Sequence, residues 1–262
     1  MSYKRYFFHC AYLGINYRGW QTQPDVISVQ ETIEQTFSML FKKKITIMGC
    51  GRTDAKVHAS QYFFHVDLKE SIDFDFLFVI NKMLPKDISI YDIIEVEMNR
   101  HARFDAVSRT YDYFLHSEKN PFWDNSSALY QEKISGFEEM KKAVLILKNY
   151  ENFEAFCKSP LKHQSTYCKI IDAKIAQDDK DGKIHFQLTA NRFLRGMIRL
   201  IMGKLIDIGN GEFSVQEFEN CLKTNMPPKL ILPAHPQGLY LSKIEYPYLT
   251  RETKNAFPFY LL

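Results

Sequence analysis

The chain has 262 residues, enough for one large domain or two small ones with real cores. Lys and Arg number 34 against 31 Asp and Glu, a formal net charge of +3, so any RNA-binding surface must come from cations segregated onto one face. No apolar run approaches the ~20 residues of a membrane span, which excludes a helical membrane protein.

The N-terminus, MSYKRYFFHCAYLG, carries two basic residues and then a short apolar run. His9 interrupts the run and no A-x-A-like cleavage site follows, so Phe7 to Leu13 is predicted as a first strand rather than a leader. Ser28-Val29-Gln30-Glu31 is a capping box. The helix it opens sets Val29, Ile33, Phe37 and Leu40 on one face. Lys42 to Lys44 end it with charge that suits the dipole. Ile45 to Cys50 and Gln61 to Leu68 are predicted as strands. A short helix around Phe74 to Met83 should stop at Leu84-Pro85. Ile88 to Glu97 and Thr110 to Ser117 read as further strands.

The second half loosely repeats the theme. Phe137 to Leu147 is helical in pattern. Ile170 to Ala176 and Ile184 to Ala190 form a predicted hairpin around the polar turn QDDKDGK. Phe193 to Ile208 reads as one long apolar helix, and a second Ser-Val-Gln-Glu, Ser214 to Glu217, opens another. Gly238 to Tyr246 is the final strand. Two identical boxes fit a duplicated α/β unit; convergence of good helix starts on the same letters accounts for them equally. The pattern predicts an α+β fold with mixed sheets, in two halves that share one continuous sheet.

The stretch GCGRTDAKVHA, Gly49 to Ala59, puts an arginine, a hydroxyl, a carboxylate and a histidine within seven residues, directly after a predicted strand. Functional residues concentrate in such loops. Arg52 beside a partly buried Asp54 would keep that carboxylate ionised, which suits nucleophilic attack or charge stabilisation rather than proton donation. A turn in which Asp54 merely caps local amides is the competing reading. Gly49 and Gly51 are expected to allow sharp backbone turns.

On the predicted helix from Phe193, Arg192, Arg195 and Arg199 have i, i+3, i+7 spacing and should share one face. Their partners would be a carboxylate or phosphates, unless the stripe is a solvated face. Arg109, Tyr111 and Tyr113 lie on one face of a strand, where a tyrosine can stack on a base or move a proton. His58, His65 and His101 fit structural hydrogen-bonded roles as well as functional ones. The five cysteines are scattered without a CxxC, which points to reduced thiols in a cytoplasmic protein. Cys157, His163 and Cys168 have no common zinc spacing. With no phosphate loop or GxGxxG, nucleotide-cofactor chemistry has no support.

These motifs resemble those of the tRNA pseudouridine synthase A family. GRTDAKVHA is similar to that family's nucleophile motif, usually GRTDAGVHA. GWQTQ and SVQETIE resemble its N-terminal signature, and INKMLPKDI its N-x-x-LP-x-DI segment. HARFDAVSRTYDYFL, FLRGMIRLIMG and PQGLYLSKIEY follow in the family's order, so the resemblance runs nearly end to end.

The resemblance implies the pseudouridine synthase fold: two ferredoxin-like (RRM-like) halves, 1–105 and 106–262, sharing a mixed, mostly antiparallel sheet with a central cleft. It implies isomerisation of uridine to pseudouridine in the anticodon stem-loop of tRNA, at positions 38 to 40 in the tRNA convention, by a homodimer with no cofactor and no metal. By resemblance, Asp54 is the catalytic aspartate, adding to C1′ of the ribose or to C6 of the uracil. Arg199 matches the arginine that pairs with it, and Tyr111 the tyrosine that stacks on the target base. Arg52, Arg109, Arg195, His58 and Arg18 are expected at the substrate, with Lys42 to Lys44, Lys158 and Lys162 as further phosphate contacts. Four features depart from the family pattern, one of them a first loop at Tyr17 to Trp20 that is shorter than the common version. Lys56 replaces a glycine, Leu200 an asparagine, and Arg195-Gly196 a pair that is often His-His.

Overall fold

The computed structural model describes residues 2–69, 72, 75–132, 134–178 and 181–249. Two compact units emerge. Among the described residues, the first holds those up to Val107 together with Tyr240 to Leu249; the second is Ser108–Leu239. The family resemblance implies a boundary at residue 105, with everything after it in the second half. The difference arises because the last strand pairs within the first unit.

In the first unit, β1 (Lys4–Tyr12) is antiparallel to both β3 (His58–Leu68) and β4 (Ile88–Val96). The start of β3 runs parallel to β9 (Leu239–Glu245), with His58 opposite Tyr240 and Ala59 opposite Leu241. β1 and β3 are buried almost throughout, because aromatic side chains cover both of their faces. On one face Phe8 stacks on Phe64 and meets Phe37 of α1 (Val29–Phe41) edge-on. On the other, Phe7 and Phe63 pack edge-on against Tyr246. Aromatic pairs of this kind contribute about 0.5–1.5 kcal/mol each beyond simple burial.

Helix α1 starts where predicted: the Ser28 hydroxyl accepts from the Glu31 amide at 3.2 Å. It ends at Lys42, whose φ of 51° is left-handed. The following Ile45 to Cys50 is not the strand its composition predicts. Only Met48–Gly49 form β2, against β3. Upstream, the Ile45 amide donates to Ser38 Oγ and the Ile47 amide to Glu34 Oε1. The polar side of α1 thus satisfies backbone groups that a ladder would otherwise take. Helix α2 spans Phe76–Met83 and stops at Leu84-Pro85, as predicted; Phe74 lies outside the described residues.

In the second unit, β8 (Ile184–Ala190) is antiparallel to both β5 (Ser108–His116) and β7 (Ile170–Gln177). A short β6 (Ala128–Leu129) runs parallel to β5. The β7–β8 hairpin is the predicted one; Asp179 and Lys180 of its turn lie outside the described residues. Helix α3 (Phe137–Ile146) packs on β7, on α4 (Met197–Gly209) and on α5 (Val215–Thr224). α5 has the complete capping box: Ser214 Oγ accepts the Glu217 amide, and Glu217 accepts the Ser214 amide.

Helix α4 begins four residues later than predicted. Gly196 at its N-cap is left-handed, φ +73°, which breaks the helical run. Arg192 and Arg195 therefore stand before the helix and Arg199 on it, so the three arginines do not form a helical stripe.

Candidate active site

In the first unit the Asp54 loop is held from several sides. Thr53 is buried, with its Oγ1 2.8 Å from the Tyr12 hydroxyl of β1. The Thr53 carbonyl accepts the Trp20 amide at 3.3 Å, and the Cys50 amide donates to Phe63 O at 2.8 Å. The Val57 amide closes a turn onto Asp54 O at 3.2 Å, and the Lys56 amide donates to Tyr17 O at 3.1 Å. Asp54 is half-buried at the centre of this stretch. A carboxylate so placed keeps one geometry without being sealed from a ligand, which suits a nucleophile.

The two glycines play different parts from the one predicted. A Cβ at Gly49 would collide with the Tyr62 hydroxyl and with Nε1 of Trp20. Those rings stack 4.0 Å apart under the loop, and Tyr62 donates to Gly51 O at 2.6 Å. Gly49 thus serves close packing. A Cβ at Gly51 would meet nothing within 4 Å, and its φ is not in the left-handed region.

Arg52 and Arg18 are both exposed, and Arg52 Nε donates to Gln21 Oε1 at 3.1 Å. His58, by contrast, is fully buried. Its Nδ1 accepts the Gly14 amide at 3.0 Å, and its ring stacks on Tyr240. It braces the exit of the loop rather than facing a ligand. His65 is likewise interior, taking the Ala102 amide on Nδ1. Burial, with Arg5 and His101 nearby, pulls its pKa down to about 4. His101 is half-buried, and its Nδ1 accepts the Arg103 amide.

In the second unit, Arg199 is half-buried on α4 and locked to Ala234 in both directions. Its Nε donates to Ala234 O at 2.7 Å, while its own carbonyl accepts the Ala234 amide at 2.8 Å. The strap carrying Ala234 crosses the helix at Gly203, where a Cβ would strike Leu232 O. His235 follows on the strap and stacks on Tyr130; burial first, then the Arg199 charge, lowers its pKa. This strap was not foreseen, since LPAHPQG carries only a loop signal.

Tyr111 is half-buried on β5, and its ring meets Phe193 edge-on at 5.1 Å. Arg109 donates to Asn191 O at 3.3 Å. Arg195 is exposed, and its carbonyl accepts the Lys158 amide. Tyr113 is fully buried and donates to His235 O at 2.9 Å, so it belongs to the interior.

Asp112, on the opposite face of β5, is buried against His185 Nε2 at 2.5 Å and Gln187 Nε2 at 2.9 Å. A surface cavity of about 640 Å³ lies between the start of α3 and β7, lined by none of the candidate residues. Among the described residues, no group of three His, Cys, Asp or Glu side chains is arranged to hold a metal ion. No described helix is long and apolar enough to cross a membrane.

The family model described as tRNA pseudouridine synthase matches residues 150–247. Curated relatives match far more of the chain. A tRNA pseudouridine synthase A from Porphyromonas gingivalis is 37% identical over 246 residues, 93% of this chain and 97% of its own. The protein of that name from Azobacteroides pseudotrichonymphae is 41% identical, with the same coverage. The one from Bacteroides fragilis is 38% identical over 94% of this chain and 98% of its own. At that identity, over nearly the whole of both partners, this chain belongs to the tRNA pseudouridine synthase A family.

Proposed function

We propose that this protein, a tRNA pseudouridine synthase, uses Asp54 as the nucleophile that isomerises uridine to pseudouridine in the anticodon stem-loop of tRNA, at positions 38 to 40. The N1–C1′ bond breaks, the base rotates, and C5 bonds to C1′. The proton lost from C5 is balanced by one gained at N1. The rearrangement consumes nothing, so no cofactor is called for. Asp54 adds to C1′ or to C6; both routes need an ionised carboxylate that holds its place.

The observation that carries this reading is the half-buried Asp54 on a loop pinned by Tyr12, Trp20, Tyr17 and Phe63. In this reading Arg199 is the cation that keeps the carboxylate ionised, and Tyr111 stacks on the uracil. Since the reacting atoms lie within a stacked base, the nucleotide leaves its stack before the reaction. Arg18, Arg52, Arg109 and Arg195 contact the RNA backbone. His58 acts through the loop it braces. The same reading gives two ferredoxin-like halves sharing a sheet around a central cleft, and a cytoplasmic homodimer.

The test is to incubate an unmodified tRNA transcript with the wild type and with Asp54→Ala, then map pseudouridine along the RNA. The wild type is expected to convert anticodon-arm uridines, and the variant to bind without converting. A variant with normal conversion, or a wild type with none, overturns the proposal. Conversion confined to another part of the tRNA would overturn the assigned position alone.

A further inference from the structure

We propose that Lys56 is a phosphate-contacting residue in the RNA-binding surface beside Asp54, and that it helps set the affinity for substrate. The inference rests on the preceding reading that RNA meets the Asp54 loop. Lys56 stands two residues beyond Asp54 with a left-handed backbone, φ +65°. A residue with a Cβ is disfavoured there, and glycine is not. The loop uses the Lys56 amide, which donates to Tyr17 O, and a glycine would supply that amide with less strain. The side chain is exposed, and among the described residues its ammonium has no ion-pair partner. Strain retained where the fold makes no use of the side chain points to a use outside the fold.

A second observation comes from the segment packed on this loop. The Lys56 to Tyr17 bond and the Trp20 to Thr53 bond join residues 17–20 to residues 53–56. Gly19, φ +94°, brings the backbones so close that a Cβ there would strike Thr53 O. The joined segments carry Arg18, Arg52 and Lys56, all exposed. Residues 14–24 contain no acid, and residues 49–59 contain only Asp54. Asp87 approaches from the neighbouring turn, where it accepts from the Tyr17 hydroxyl and the Asn16 amide. Three exposed cations thus stand on the joined segments that carry the candidate nucleophile, and the group they match is the phosphodiester backbone flanking the reacting nucleotide. Lysine suits this place because it binds phosphate as a point charge on a flexible stem, without a fixed fork geometry.

The test measures equilibrium binding of an unmodified tRNA transcript from about 50 to 200 mM salt, a range over which phosphate contacts are read out. The proteins are the wild type, Lys56→Gly, Lys56→Gln and Lys56→Arg, each also melted thermally. Lys56→Gly should melt at or above the wild type, because the strain is gone. Lys56→Gly and Lys56→Gln should both bind about 3–10-fold more weakly, with a log–log salt slope shallower by about 0.7–0.9, the loss of one phosphate contact. Lys56→Arg should stay near the wild type. Wild-type affinity and slope in both the Gly and Gln variants would overturn the proposal. So would weakening in the Gly variant alone, which would assign the effect to the backbone. Pseudouridine formation by the same wild-type preparation separates the two readings. Conversion with unaffected variants removes only the role of Lys56, whereas absent conversion removes the activity itself.

Discussion

The Tyr12 hydroxyl and Thr53 Oγ1 lie 2.8 Å apart in the interior, one from the first strand and one from the residue before Asp54. This bond anchors the candidate nucleophile to the most buried part of the first unit. Tyr12→Phe removes the partner of a buried hydroxyl, which costs about 1–3 kcal/mol. The variant is expected to melt several degrees lower and to lose kcat more than KM, as the loop before Asp54 loosens. Thermal melts and steady-state kinetics on tRNA check both.

Arg199 is tied to Ala234 by its side chain as well as its backbone. Arg199→Lys keeps the charge but loses the planar Nε donor, leaving the Ala234 carbonyl without that bond. Hydrogen bonds from charged groups contribute about 1.5–3 kcal/mol. If the strap fixes the guanidinium for catalysis, activity should fall about 10–100-fold, the equivalent of that energy. Binding of tRNA should change far less. Single-turnover rates, compared with equilibrium binding, check the split.

Gly49→Ala should destabilise the first unit. The added methyl would displace Tyr62 or Trp20, whose rings pack beneath the loop. Overpacking of this kind costs about 1–3 kcal/mol. Gly51→Ala should be nearly silent by comparison, because space is open there. Urea unfolding of the two variants side by side is the check.

Stability should fall as pH drops from about 6.5 towards 4. Burial lowers the pKa of His9 to about 4, against a raising influence from Asp92. His65 is lowered to about 4 by burial, Arg5 and His101, against Asp67 and Asp105. Because the folded pKa lies below the unfolded one, this stability is fully present above about pH 6.5, the ordinary histidine value. It is lost as the unfolded chain takes up protons that the folded one refuses, at up to about 1.4 kcal/mol per pH unit for each histidine. His9 sits between Phe63 and Tyr91, with no hydrogen-bond partner for Nε2. His9→Phe should therefore flatten the acid limb without loss at neutral pH. Urea melts at pH 7.5 and 5 check this.

Local chemistry made much of the fold legible. Ser28 and Ser214 open helices because each hydroxyl accepts the amide three residues on, and at Ser214 the glutamate also reaches back. The β7–β8 hairpin follows from its alternation. Failures came where a tertiary partner replaced a local one. Ile45 to Cys50 has strand composition, but Glu34 and Ser38 claim its amides. Phe193 to Gly196 has helix composition, yet Gly196 turns left-handed, and a Cβ there would crowd the Lys158 side chain.

The candidate site was legible as a motif and not as a mechanism of support. Asp54 stands out in the sequence because acid, arginine and glycines are adjacent. Nothing local announces that Tyr12, Trp20 and Tyr62 hold it, or that His58 faces inward. Those facts depend on contacts between distant segments, as does the strap at Ala234.

The parallel pairing of β3 with β9 has a temporal consequence. His58 and Ala59, just past the Asp54 loop, find their neighbours in Tyr240 and Leu241, in a segment far along the chain. Contacts so remote in sequence slow folding, because a long loop must close before the pairing rewards it. Until that pairing forms, the exit of the Asp54 loop is without its Tyr240 neighbour.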